Sequence, residues 1–395
     1  MKTTKSFSLL LLLFVIVSCS QDATTVAVNP DPDPYPIDLT IVKEKAIVAT
    51  TAADYSSGAH AVISEDDEGD RIAFNDLLPT DSDLTVAAYG RHFYRIERAF
   101  AGNNITKFST SNPQTPIWQY STNDPAGAVA SDPHDMVFVS ETKAYVLRYG
   151  SSKMWIVDPS ATTEADFKIG EIDLSAYADA DGIPEMDSGV FVDDKLYITM
   201  QRLDNYAVTE TAYVAIFDVN TDEEIDANID GDSLKGIPLQ IRNTTNIVYQ
   251  PESEVIYVQG SGSFFPEEFT SGIEKIDIAT LSPTVILDDG DAASHPYGLI
   301  TELAVVSDTI LYFVGYAGYT DNTLYRMNLS TDEITATAVP SLINGKISNI
   351  TANSGGLLWV SDSANATVRI IDPATDTEID ALSTNLNPEK IVFAK

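Results

Sequence analysis

Read as apolar and polar positions, the chain keeps repeating one figure. Apolar residues alternate with polar ones, an Asp ends the run, a small polar turn follows, and a second short run begins. It stands as MWIVDPSATTEAD at Met154–Asp166, as VAIFDVNTDEEID at Val214–Asp226, and as TVRIIDPATDTEID at Thr367–Asp380. IEKIDIATLSPTV (Ile273–Val285) and LYRMNLSTDEIT (Leu324–Thr335) repeat it, and ITKFSTSNPQTPI (Ile105–Ile117) is a degenerate copy. Before each copy lies another alternating run with an aromatic near its start: HFYRIER, KAYVLRYG, KLYITMQR, VIYVQGSG, ILYFVGYAG and LLWVSDSA. A third run precedes most of these, among them HDMVFVS and GVFVDD. Alternation at period two, rich in β-branched and aromatic residues, predicts strands. No long stretch has helical periodicity.

A unit of about four strands recurring every ~45–60 residues is the signature of propeller blades. Six units can be marked off: Leu84–Ser121, Pro133–Leu174, Ser188–Leu239, Thr245–Leu287, Tyr297–Val339 and Ile347–Leu382. The seventh is composite. Ala46–Glu65 supplies middle strands and Asn387–Lys395 the innermost one, a clasp that removes an open sheet edge. The expected fold is an all-β, seven-bladed propeller of four-stranded antiparallel blades. Six or eight blades stay open, because the first unit is the least clear. The Asp residues that end the third runs (Asp158, Asp218, Asp277, Asp372) start turns, and their side chains can bond backbone amides there.

The chain has 395 residues and a net charge of −36. Such acidity excludes nucleic acid as a partner, because phosphates would be repelled. It suits solubility, or the binding of a cation. The N-terminus follows a different pattern. Lys2 and Lys5 precede the apolar run Leu9–Val17, which is too short to span a membrane and right for a signal peptide. Ile16-Val17-Ser18-Cys19 resembles the bacterial lipobox, and Cys19 is the one cysteine in the chain. The resemblance implies cleavage before Cys19 and its acylation, a covalent anchor in outer-membrane lipid. Residues 19–40, with NPDPDPYPID, read as an extended tether. The propeller then occupies 41–395.

Catalytic signatures are absent: there is no G-x-S-x-G, no H-E-x-x-H, no phosphate-binding loop and no C-x-x-C-H. Candidate chemistry falls on the loops that lead into the innermost strands and on those joining second to third strands. Arg98, Arg148 and Arg202 close the same strand in three successive blades. Converging among aromatics, they would suit an anionic or amide-bearing ligand, unless each pairs with an acidic neighbour. His134 and His295 stand at equivalent loop starts in non-adjacent blades, where they would face each other over a channel mouth or cap backbone groups. Tyr149, Phe264, Tyr297 and Tyr316 complete the ligand-binding set. Asp179 and Asp181, in DADGIPEMD, are spaced like part of a calcium loop, although the closing Glu is missing and a solvated turn has the same spacing.

The C-terminal stretch LLWVSDSANATVRIIDPATDTEIDALSTNLNPEKIVF and DPHDMVFVSETKAYVLRYGSSKMWIVDPSAT resemble the repeat of YVTN-type (YncE-like, surface-layer) propellers. The likeness runs over most of the chain from about Ala46. It implies the propeller fold and a class that holds binding proteins, surface adhesins and a few enzymes. By analogy with lipid-anchored members it also implies capture of a corrinoid-like cofactor beside a TonB-dependent transporter. A protein–protein or adhesion scaffold is the alternative, and a lactonase- or lyase-type enzyme using His134, His295 and loop acids is a third.

Overall fold

A computed structural model describes residues 43–66, 68–124, 130–204, 207–228, 231–265 and 267–395. The expected signal peptide, Cys19 and the expected tether at residues 19–40 lie outside the described residues.

Seven antiparallel sheets of at least four strands follow one another along the chain. Blades 1 to 6 begin with the innermost strands Leu84–Tyr89, Pro133–Ser140, Met186–Val192, Thr244–Gln250, Leu299–Val305 and Ile347–Ala352. Blade 7 is composite. Its innermost strand is the C-terminal Asn387–Ala394, followed outward by Lys45–Thr51, Gly58–Glu65 and Arg71–Thr80. The clasp pairs Ala46 with Phe393 and Val48 with Ile391. Each innermost strand touches the next, and the seventh touches the first, so the ring is closed. The outer strand Arg71–Thr80 has no counterpart in the sequence reading. Asn75, Asp76 and Pro79 interrupt its alternation, and Asp76 and Leu78 have positive φ.

The core lies between blades rather than within them. There are seven hydrophobic clusters, each built from two adjacent blades. Tyr145 and Leu147 of blade 2, for example, pack with Met186, Leu196 and Met200 of blade 3. The aromatics that open the second strands are the wedges at these joints. Tyr94, Tyr145, Tyr197, Tyr257, Tyr312 and Trp359 are all at most 5% exposed. Burying each contributes about 2 kcal/mol of apolar transfer energy.

Antiparallel pairing divides the connections between two faces. One face carries only turns, and the repeated Asp holds many of them. Asp158 accepts the Ser160 amide at 2.8 Å, Asp218 that of Asn220 at 2.8 Å and Asp372 that of Ala374 at 2.9 Å. Asp277 accepts two, from Ala279 at 3.0 Å and Thr280 at 2.9 Å. The repeated figure is therefore a turn device. The opposite face carries the long connections, including residues 201–212, 226–243, 261–271 and 289–298. The chain enters blade 7 at Lys45 from the turn face, because Lys45–Thr51 runs toward the loop face.

Two outcomes test this architecture. Asp277→Ala loses its turn bonds and lowers stability by about 1 kcal/mol, read by urea unfolding. Removal of residues 387–395 strips blade 7 of its innermost strand and opens the ring, which abolishes the cooperative transition. A truncated chain that still unfolds in one sharp step contradicts the clasp.

Candidate functional site

The innermost strands share a local irregularity. In blades 2 to 7 the pairing of first and second strands slips near the loop face, by a β-bulge or a similar irregularity. Blade 1 is regular. The slipped positions hold His134, Asp187 with Ser188, Thr245, Thr301, Ser348 and Glu389, every one polar. A bulge adds a residue and re-aims its side chain, so these residues gather about the channel mouth. A cavity of about 390 Å³ opens there, lined by Thr85, Arg98, His134, Asp135, Tyr149, Asp187, Gln201 and Lys390, among others.

The next residues of these strands stitch neighbouring blades together. Asp135 accepts the Gly189 amide of blade 3 at 3.2 Å, and Asn246 donates to the Leu303 carbonyl of blade 5 at 3.1 Å. Asn349 donates to Glu302 of blade 5 at 3.0 Å and accepts the Ile391 amide of blade 7 at 3.0 Å. Burial pushes the Glu302 carboxyl up to about 7. Lys390 and the Asn349 bond work against the shift, and the charge of Asp187 adds to it. Burial raises Asp135 as well.

His134 is held on both sides. Its Nδ1 lies 2.7 Å from Asp187, its Nε2 3.7 Å from Asp132, and its ring stacks on Tyr149 at 4.0 Å. Burial resists a charge on the ring, but the two carboxylates outweigh it and raise the His134 pKa above its ordinary value. The Tyr149 hydroxyl donates to Gln201 at 3.0 Å. His134 is thus clamped at the rim between two carboxylates.

The three arginines do not converge. Only Arg98 reaches the mouth, where its Nε donates to Asp83 at 2.9 Å. Arg148 is 1% exposed. It donates to the Thr122 carbonyl at 3.0 Å, pairs with Asp124 at 2.8 Å and lies over Trp155 at 4.4 Å. Arg202 donates to the carbonyls of Tyr177 at 2.8 Å and Thr211 at 3.1 Å. Both guanidiniums hold their own loops in place. Their strand position was legible, but the direction in which each side chain leaves the strand was not.

His295 and His134 do not face each other. The connection 289–298 is long, so His295 stands several residues before the innermost strand of blade 5. It lines a second cavity, off the axis, of about 660 Å³. There it meets three other residues of the expected set, Phe264, Tyr297 and Tyr316, together with Phe265, Asp321, Thr323, Tyr325 and Asn344. The expected ligand site is therefore two cavities on one face. Phe264 meets Tyr316 edge to face at 5.3 Å, and Tyr297 meets Tyr325 likewise at 5.0 Å. Two glycines permit this closeness. Gly298 has φ +64°, and a Cβ there would meet the Tyr316 carbonyl at 2.2 Å. A Cβ on Gly315 would meet the Tyr297 carbonyl at 2.5 Å and the Tyr325 ring at 2.8 Å. Asp321 and Tyr325 were missed by the sequence reading, being embedded in an ordinary third strand, Asp321–Asn328.

One carboxylate oxygen of Asp179 and one of Asp181 accept turn amides, those of Asp181 and Ile183, each at 3.0 Å. Among the described residues no group of three acidic, His or Cys side chains is set to hold a metal. The pair on which calcium was expected forms Asx turns.

No family model and no curated protein matches the chain. Solved structures match its fold. A protein from Lactobacillus plantarum has a TM-score of 0.61 at 11% identity, over 90% of this chain and 100% of that one. A candidate 6-phosphogluconolactonase of Bacteroides fragilis gives 0.59 at 12%, over 92% and 100%. Apo AztD from Citrobacter koseri gives 0.52 at 14%, over 89% and 97%. At such identities the likeness establishes the propeller fold alone.

Glu302 supplies a test of the channel. Folded, it keeps its proton to about pH 7; unfolded, it loses it in the ordinary glutamic range. The folded state binds the extra proton between those values, so stability falls as pH rises through that window. Glu302→Gln removes this slope. Urea unfolding at about pH 5 and pH 8 should show the variant gaining on wild type at the higher pH. An equal difference at both pH values contradicts the assignment.

Proposed function

We propose that this protein is a binding propeller that captures a small molecule on its loop face, in the aromatic cavity of blades 4 and 5. One observation carries the reading. The long connections of that face bring Phe264, His295, Tyr297, Tyr316 and Tyr325 around a concavity of about 660 Å³, a size and lining suited to a small ligand. The fold does not require it, since Phe264 is 50% exposed and Phe265 94%.

The lipobox-like Ile16–Cys19 adds a setting. With Cys19 acylated in the outer membrane, the propeller would be held at the membrane surface through residues 19–40. A ligand captured on the loop face would pass to a TonB-dependent transporter or another surface protein. A corrinoid-like ligand belongs to this proposal by analogy with lipid-anchored propellers.

The second reading is a partner protein docked on the same face. Tyr55, Phe100, Phe265 and Tyr319 favour it, each more than half exposed there, since apolar surface of this kind marks contact sites. Catalysis finds less support. Both nitrogens of His134 face carboxylates, and the chain carries none of the local catalytic motifs.

A thermal-shift screen of the full chain tests capture. The panel holds corrinoids, haem, neutral sugars, organic amines, and divalent metals with and without chelator. A ligand of the folded state raises the melting temperature by mass action. The expected result is a rise with one organic class that Tyr316→Ala abolishes and Arg148→Lys does not. No rise with any class shifts the assignment to a partner protein.

A further inference from the structure

The geometry points to an organic cation, a quaternary or protonated amine on an apolar body, as the ligand of the blade 4–5 cavity. This inference rests on the capture reading and names its ligand class.

The walls come first. Phe264 stands at 87° to Tyr316, and Tyr297 at 71° to Tyr325. Rings at near right angles turn their faces in more than one direction. The negative face of an aromatic ring attracts a soft cation, and several such faces together form a cage for alkylated ammonium groups. A trimethylammonium head fills part of the 660 Å³ and leaves room for substituents beyond it. The exposed Phe265 at the rim offers apolar surface for that remainder.

Charge then selects the sign. Among the described residues lining the cavity there is no Lys or Arg, and Asp321 is the one carboxylate. Asp321 has no ion-pair partner among the described residues. Its charge reaches the aromatic cluster: the Tyr325 phenol is raised by burial, and the neighbouring Tyr297 and Asp321 add to the shift. An anionic ligand would meet this carboxylate, and a chain of net charge −36, with no Lys or Arg in the cavity to compensate. A cation would meet both favourably.

The same face already shows this chemistry with a cation of its own. Lys346 lies 4.5 Å from the Tyr319 ring and 5.6 Å from that of Tyr55. It also donates to the Tyr319 hydroxyl at 2.8 Å. That clamp is filled from within, whereas the neighbouring cavity is lined by rings and a carboxylate with no resident ammonium.

The test compares choline with 3,3-dimethyl-1-butanol, its uncharged isostere, by calorimetric titration of the full chain at low salt. Choline should bind, and the isostere should bind at least about tenfold more weakly, the difference that desolvated cation–π contact supplies. Tyr316→Ala and Asp321→Asn should each weaken choline by about fivefold to tenfold. Phe265→Ala, at a position 94% exposed, keeps the fold and should also weaken it. Equal binding of choline and isostere overturns the cation assignment, as does choline binding untouched by all three variants. If choline fails while another class in the thermal-shift panel binds and depends on Tyr316, the ligand class is wrong and capture stands. If no class binds, both fail.

Discussion

Every blade of this protein lacks half of a core. A single four-stranded sheet cannot bury its two faces, and each hydrophobic cluster here is shared by two neighbours. Seven blades therefore need seven joints, and the last joint exists only because the C-terminal strand completes a sheet begun near the other end of the described chain. Closure is the constraint from which the rest follows. It fixes the wedge aromatics of the second strands, it brings the innermost strands into one circuit, and it leaves no unpaired edge inside the ring.

Once closure is secured on the turn face and between blades, the loop face is released from structural work. The difference shows in residue use. Turn-face Asp side chains bond amides two or three residues on. On the loop face, irregular pairing turns polar residues toward the channel, and long connections carry aromatics into solvent. Around the axis, carboxylates, one lysine and a clamped histidine make a polar seam that ties blades to one another. Off the axis, blades 4 and 5 hold a cavity rich in aromatic side chains, with Asp321 its one carboxylate and no Lys or Arg among the lining residues. The first arrangement is tied into the architecture, and the second is available.

Much of this was legible in the sequence. The period-two runs gave the blades almost to the residue, with blade 1 running Leu84–Ser121 as read. The clasp followed from a strand-like end with no partner nearby. Asp277 and its counterparts were legible as turn residues because their effect is local. Arg148 and Arg202 were not legible as structural cations. Whether a strand-end Arg points to the channel or back between blades depends on where Trp155 and Tyr177 lie, and those are contacts between strands. Asp321 and Tyr325 escaped for the same reason. They sit in an unremarkable strand and become part of a cavity only through the neighbouring loops. The bulges, too, leave no local mark, since an extra residue is visible only against its partner strand.

The most direct measurement is to locate the bound ligand on the chain. A photoreactive aryl azide bearing a trimethylammonium group, irradiated with the full protein and mapped by mass spectrometry, would report the site without assuming it. The account predicts label on the blade 4 hairpin around Phe264–Phe265 and on the blade 5 stretch Tyr316–Tyr325, competed away by choline. Label concentrated at the channel mouth about His134 and Lys390, or spread over the turn face, would contradict it.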